Sequence, residues 1–224
     1  MKETFISIFA IFWKDILSGL RTKEILTSVL VFGLLVLVIF NFAFEPGAGI
    51  RESVAPGILW VALVFAGVLG LNRTFDPERE NSCIEGLMLC PVERHVIYWG
   101  KLASSLTFML MVAVIITPIF LALFNLPLFL PRLALIIVLA ALGFSSVGSL
   151  FSALSAGTKA RDILLPILFL PIVVPIIIAA VEATGLVLQG RPWSDMSTWL
   201  QIMIAFDVIF LVISTLVFEF VIEE

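Results

Sequence analysis

Asp207 is the residue of this 224-residue chain most open to chemistry by its surroundings, since it interrupts the apolar run Leu200 to Val221 about two turns from its start. A carboxyl group so placed faces a partner or water by default, which makes it a candidate for a transport role. It can equally stay protonated, or hydrogen-bond to Ser and Thr of a neighbouring segment. Glu182, at the end of another apolar run, is the second intramembrane polar candidate. His95 is the single histidine and could ligate a metal, but it stands beside Arg94, where a histidine is ordinarily solvated. Cys83 and Cys90 are seven positions apart with no further ligand nearby, so they are not a credible metal site. Gly157-Thr158-Lys159 follows neither a Gly-rich loop nor a strand and is not a nucleotide-binding motif. The expected catalytic, cofactor-binding and metal residues are therefore none. An intramembrane enzyme needs a nucleophile and a base at matching depth, and no His or Lys is expected inside the membrane.

The elements that must position these residues are set by composition. The chain is 61% hydrophobic and 13% charged, with a mean hydropathy of +1.19, outside the range of soluble domains. Six apolar runs are near the length that crosses a bilayer: about 25–44, 54–71, 102–124, 133–154, 163–181 and 200–221. Backbone groups in hydrocarbon must be satisfied within their own segment, so these runs are expected to be helices. The fold class is all-α: a polytopic membrane protein, one transmembrane domain over residues 1–224, with six transmembrane helices. Of the 13 Lys and Arg, ten (Lys2, Lys14, Arg21, Lys23, Arg73, Arg79, Arg94, Lys101, Lys159 and Arg161) fall on one side of the alternation. Arg51, Arg132 and Arg191 fall on the other. This bias puts both termini in the cytoplasm. Tyr98 and Trp99 are expected at the inner interface and Trp193 and Trp199 at the outer one. The net charge of −4 says little, and no basic tract points to nucleic acid, which is not expected as a partner.

Residues 1–24 lack the cleavage site of a signal peptide, and Lys14-Asp15 breaks their apolar stretch. Phe5, Ile8, Phe9, Phe12, Ile16 and Leu20 recur at helical spacing, which predicts an interfacial helix, the alternative being a helix packed on its own bundle. In the segment Asn72 to Lys101, Asp76-Pro77-Glu78 reads as a helix start and Pro91 as a stop. A short helix with Cys83, Ile84, Leu87 and Met88 along one edge suits docking into a soluble partner, or is a solvated loop helix. The fourth run carries small residues at four-residue steps, Ser145, Ser149, Ala153 and Gly157 among them, a face for close helix packing within the bundle or between two copies. Pro166, Pro171 and Pro175 predict kinks in the fifth run that can turn carbonyls toward a cavity. The segment 182–199 is expected to dip back into the membrane or to form a surface loop with a Trp anchor.

Two stretches carry a resemblance. Ala55-Pro56-Gly57-Ile58-Leu59-Trp60-Val61-Ala62, running through Leu71-Asn72-Arg73-Thr74-Phe75 to Ile84-Glu85-Gly86-Leu87-Met88-Leu89-Cys90-Pro91, resembles the CcmB family, the heme exporter permease of cytochrome c maturation. Leu164 to Pro175 is similar to that family's proline-rich fifth span. Asn81-Ser82 stands where the family commonly has Asp-Gly. The resemblance implies an ABC-2-type permease in the inner membrane, in a complex for heme export or heme-chaperone release in c-type cytochrome biogenesis. It further implies an ATPase subunit CcmA, membrane subunits CcmC and CcmD, the chaperone CcmE as an indirect partner, and a homodimer among lipids. Arg73, Phe75, Glu78, Glu85, Leu87 and Pro91 would then form the ATPase coupling helix. Heme is the implied cargo and ATP belongs to the partner; no cofactor is expected on this chain, and His95 is not expected to ligate heme. An ABC-2 permease for a drug, polysaccharide or lipid is the alternative. A secondary transporter is a further one, although inverted repeats are not evident.

Overall fold

The computed structural model describes residues 2–21, 23–43, 48–73, 94–126, 131–156 and 161–221, and the elements within them are seven α-helices. They are α1 (Lys2–Arg21), α2 (Lys23–Ala43), α3 (Ala48–Arg73), α4 (Arg94–Leu123), α5 (Pro131–Ala156), α6 (Arg161–Leu188) and α7 (Trp193–Val221). Helices α2 to α7 are each long and apolar enough to cross a membrane, so the chain is an all-α, multi-pass membrane protein.

The helices outrun the apolar segments that predicted them. Helix α4 begins at Arg94, α6 continues to Leu188 and α7 already starts at Trp193. The segment 182–199 is thus neither a separate dipping element nor a long loop: it is two helix ends joined by the turn 189–192. Hydropathy marks where lipid ends, whereas a helix ends where its terminal carbonyls find other partners. At the end of α6, Gly190 takes a φ of 68°. The N–H groups of Arg191 and Gly190 then donate back to the carbonyls of Leu186 and Val187, each at 3.0 Å. Helix α4 stops the same way, with Asn125 at φ 55° and the Leu126 N–H donating to the Leu121 carbonyl at 2.8 Å. Both are left-handed C-caps, which favour Gly and tolerate Asn.

Helix α5 is the centre of the bundle and touches α3, α4, α6 and α7. Lipid supplies no hydrophobic force between helices, so close backbone approach matters more than in water. Glycine provides it at the α3–α5 contact: a Cβ on Gly67 would lie 2.5 Å from Phe144 Cε1, and one on Gly148 would meet Leu71. Phe144 in turn meets Phe169 of α6 edge-on, with ring centroids 4.7 Å apart. A second, smaller cluster joins Tyr98 and Leu102 of α4, Leu150 of α5 and Phe218 of α7, with Ile11 of α1 beside it. The amino-terminal helix therefore sits at the end of the bundle where α4 begins and α7 finishes. It packs on α4 through Ile8 and Ile11, which close over Gly100, and leaves Phe5, Ile6, Phe9, Trp13 and Leu17 facing outward.

Candidate functional site

Asp207 lies deeper than two turns. Because α7 spans Trp193–Val221, the residue is its midpoint, 14 positions from either end, or about 21 Å along the axis. It is 3% exposed, and neither carboxyl oxygen has a hydrogen-bond partner, so the alternative of a bond to Ser or Thr is not realised among the described residues. Gly143 of α5 makes room for it: a Cβ there would meet Asp207 Oδ1 and Ile176 Cδ1 of α6. The carboxyl thus occupies the junction of α5, α6 and α7. Glu182, by contrast, is exposed on α6 six residues beyond Ile176, so the structure does not place it beside Asp207.

The small-residue face of α5 turns into the chain, toward α3 and α4. Ser149 Oγ donates to Ser105 Oγ at 3.4 Å, and Ser152 Oγ donates to the Leu71 carbonyl at 3.1 Å. Ser145 Oγ has no partner and borders a cavity of about 10 Å³, also lined by Gly67, Gly70, Ser105 and Phe108. That volume matches a single water. Ala153 packs in the second cluster, and Gly157 lies outside the described residues. Helix α6 runs unbroken through Pro166, Pro171 and Pro175. Pro171 and Pro175 are exposed, as is Ile167. Pro171 leaves the Ile167 carbonyl without its helical donor, and both residues are exposed.

The basic end of the bundle holds a charge cluster that sequence reasoning passed over. Lys101 counts as a flanking cation by composition, yet it is 1% exposed within α4. Its Nζ lies 3.1 Å from Asp15 Oδ2 of α1. Ser104 Oγ donates to the same oxygen at 3.2 Å, while the half-exposed Lys14 approaches Oδ1 at 3.3 Å. Near the start of α4, Lys101 is therefore buried in protein rather than solvated, and it is matched by a carboxylate. Tyr98, expected at the inner interface, is fully buried within the protein, its hydroxyl donating to the Ser146 carbonyl at 3.3 Å. Trp99 and Trp193 remain exposed, whereas Trp199 is half-buried against the main core. The available sequence signal was Asp15 itself, an acid off the face of α1 that carries Phe5, Phe9 and Trp13.

At the opposite end, Arg132 Nη1 donates to the Arg191 carbonyl at 2.8 Å, with its guanidinium 5.0 Å from the Trp193 ring centroid. The indole N–H of Trp60 donates to Thr184 Oγ1 at 3.0 Å, joining α3 to α6. Arg73 is the last residue of α3. Phe75, Glu78, Glu85, Leu87 and Pro91, with Cys83 and Cys90, lie outside the described residues. Among the described residues no three His, Cys, Asp or Glu cluster as a metal would require.

The model of the family described as CcmB protein matches residues 6–223. Heme exporter protein B of Pseudomonas aeruginosa is 30% identical over 181 residues, covering 80% of this chain and 81% of that protein. The protein of the same name from Paracoccus denitrificans is 30% identical over 178 residues, covering 79% and 80%. That from Rhodobacter capsulatus is 30% identical over 156 residues, covering 68% and 71%.

Proposed function

Because the chain belongs to the CcmB family, whose model spans nearly its whole length, we propose that it is the membrane permease subunit of a heme exporter in c-type cytochrome biogenesis. The observation that carries this reading is the match over residues 6–223 together with the six apolar helices that those residues form. A different cargo is not favoured, since the relatives that cover most of the chain share one name. The permease acts by moving, not by reacting. Among the described residues the clustered side chains are serines, an ion pair and a lone acid, and none of these forms a nucleophile–base pair.

Force then comes from a separate ATPase subunit, CcmA, at the segment between α3 and α4. Arg73 ends α3, and Phe75, Glu78, Glu85, Leu87 and Pro91 follow it in the segment that we propose docks in a groove of the ATPase. CcmC and CcmD complete the membrane complex, and heme reaches the chaperone CcmE. The complex lies in the inner membrane with both termini and the basic end of the bundle in the cytoplasm, as the ten-to-three distribution of Lys and Arg favours. Two copies supply the two membrane halves of the exporter. The 224 residues act as one transmembrane unit that binds no cofactor of its own. Heme is its cargo, or the cargo of the chaperone it releases.

The test is reconstitution of the chain with CcmA, CcmC and CcmD in vesicles. ATP hydrolysis should be coupled to heme movement or chaperone release, and Glu85→Ala or Leu87→Asp should break that coupling while hydrolysis by free CcmA persists. Heme flux from the chain alone, without ATP, would refute the assignment.

A further inference from the structure

A carboxylate ion in the middle of a membrane span is costly unless a cation, donor or water meets it. Asp207 has no cation or donor within reach among the described residues. The helices packed on α7 are α4, α5 and α6, and their titratable groups sit at the ends. Helix α5 contributes only Arg132, which is turned to Arg191 and Trp193. Helix α6 carries Arg161 and Asp162 at its start, about 20 Å along the axis from Ile176, and the exposed Glu182 toward its far end. On α4 they are Arg94, His95, Tyr98 and Lys101, and Lys101 is engaged by Asp15. Helix α7 itself adds Asp195, beside the Ser194 hydroxyl, and Glu219 near its other end. Among the described residues no positive charge faces the Asp207 carboxyl, and the seam around Gly143 is closed by Ile176 and Phe206.

We propose that Asp207 is a proton-binding site, occupied while α7 lies against Gly143 and emptied only when α7 parts from α5 and water reaches the carboxyl. On opening, the carboxylic O–H bond breaks and the proton passes to the entering water; on closing, a proton returns from solvent. Each excursion of α7 is thereby linked to one proton per chain, whichever cargo the movement serves. Nothing is oxidised or reduced, and no other reactant is needed.

The test uses the full chain in lipid nanodiscs. The infrared difference between wild type and Asp207→Asn at neutral pH should contain the carbonyl band of a protonated carboxylic acid, lost in the variant and shifted by deuterium oxide. A difference containing only the bands of an ionised carboxylate would overturn the proposal. A second measurement covers linkage. Thermal stability of wild type should fall relative to Asp207→Asn as pH is raised, because the closed seam binds the proton that the opened state releases. An unchanged difference across the pH range would equally overturn it. Asn retains the size of the acid without its charge, so the variant keeps the packing. Both readouts use this chain without an ATPase, so they stand or fall separately from the heme-exporter assignment.

Discussion

Replacing Asp15 by Ala should release the amino-terminal helix from the bundle. The structure fixes the expected size. Lys101 is 1% exposed, and its partner oxygen lies 3.1 Å away, so removing the carboxylate takes that counter-charge from a buried cation. Breaking a buried pair this way costs about 3–5 kcal/mol. Asp15 keeps an 11% exposed side chain, which argues for the low end, about 3 kcal/mol, or roughly a 100-fold larger undocked population. Lys14 approaches the same carboxylate but is 49% exposed. Its removal should cost well under about 1 kcal/mol, as exposed pairs do. The assay is limited tryptic cleavage at Arg21 and Lys23, between α1 and α2, in nanodiscs, where the rate follows the open population if reclosing is fast. Asp15→Leu combined with Lys101→Met should restore wild-type protection to within about 1 kcal/mol, since an apolar pair of similar volume replaces a buried ion pair without loss. If Asp15→Ala is cut no faster than Lys14→Ala, or if the double variant is cut as fast as the single, the pair does not hold α1 and the reasoning fails.

Gly143→Ala should destabilise the bundle by about 1–3 kcal/mol, because the added methyl meets Asp207 Oδ1 and Ile176 Cδ1; a lowered unfolding temperature in detergent checks it. Gly190→Ala should cost about 1 kcal/mol, since the added Cβ opposes the φ of 68° that closes the α6–α7 turn, and the same thermal assay reads it. Gly100→Ala places a methyl 2.7 Å from Ile11 Cγ2 and 3.4 Å from the Ile8 carbonyl. It should loosen α1 in the cleavage assay without changing the unfolding of α2 to α7. Trp60→Phe removes the donor to Thr184 Oγ1, but Thr184 still bonds the Ala180 carbonyl at 2.7 Å, so the loss should stay near 1 kcal/mol in thermal unfolding.

What the sequence made legible follows from which forces act over short distances. Six membrane helices are readable because the requirement for apolar length is local and each run meets it alone. Helix ends were misplaced where hydropathy stood in for capping. Gly190 followed by Pro192 is a helix stop that could have been recognised, and Glu182 to Leu188 would then have joined α6. Lys101 was hidden for another reason: a lysine near an apolar run looks like an interface charge until its partner, 86 positions earlier in the chain, is brought beside it. The spacing of small residues on α5 announced close approach, but only the packed helices decide that Ser149 turns to Ser105 and Ser152 to the Leu71 carbonyl. Asp207 was visible by type. Its central depth depended on where α7 begins, and the room made for it depended on Gly143, a residue with nothing to mark it in a run of small side chains.

The tight reversal at Gly190 has a further consequence. Only residues 189–192 lie between α6 and α7, so the chain leaves these two helices no slack at that end. Whatever meets the two helices there meets the reversal itself, with the Arg132 guanidinium tying its carbonyl at Arg191 to the rim of α5 and lying over Trp193.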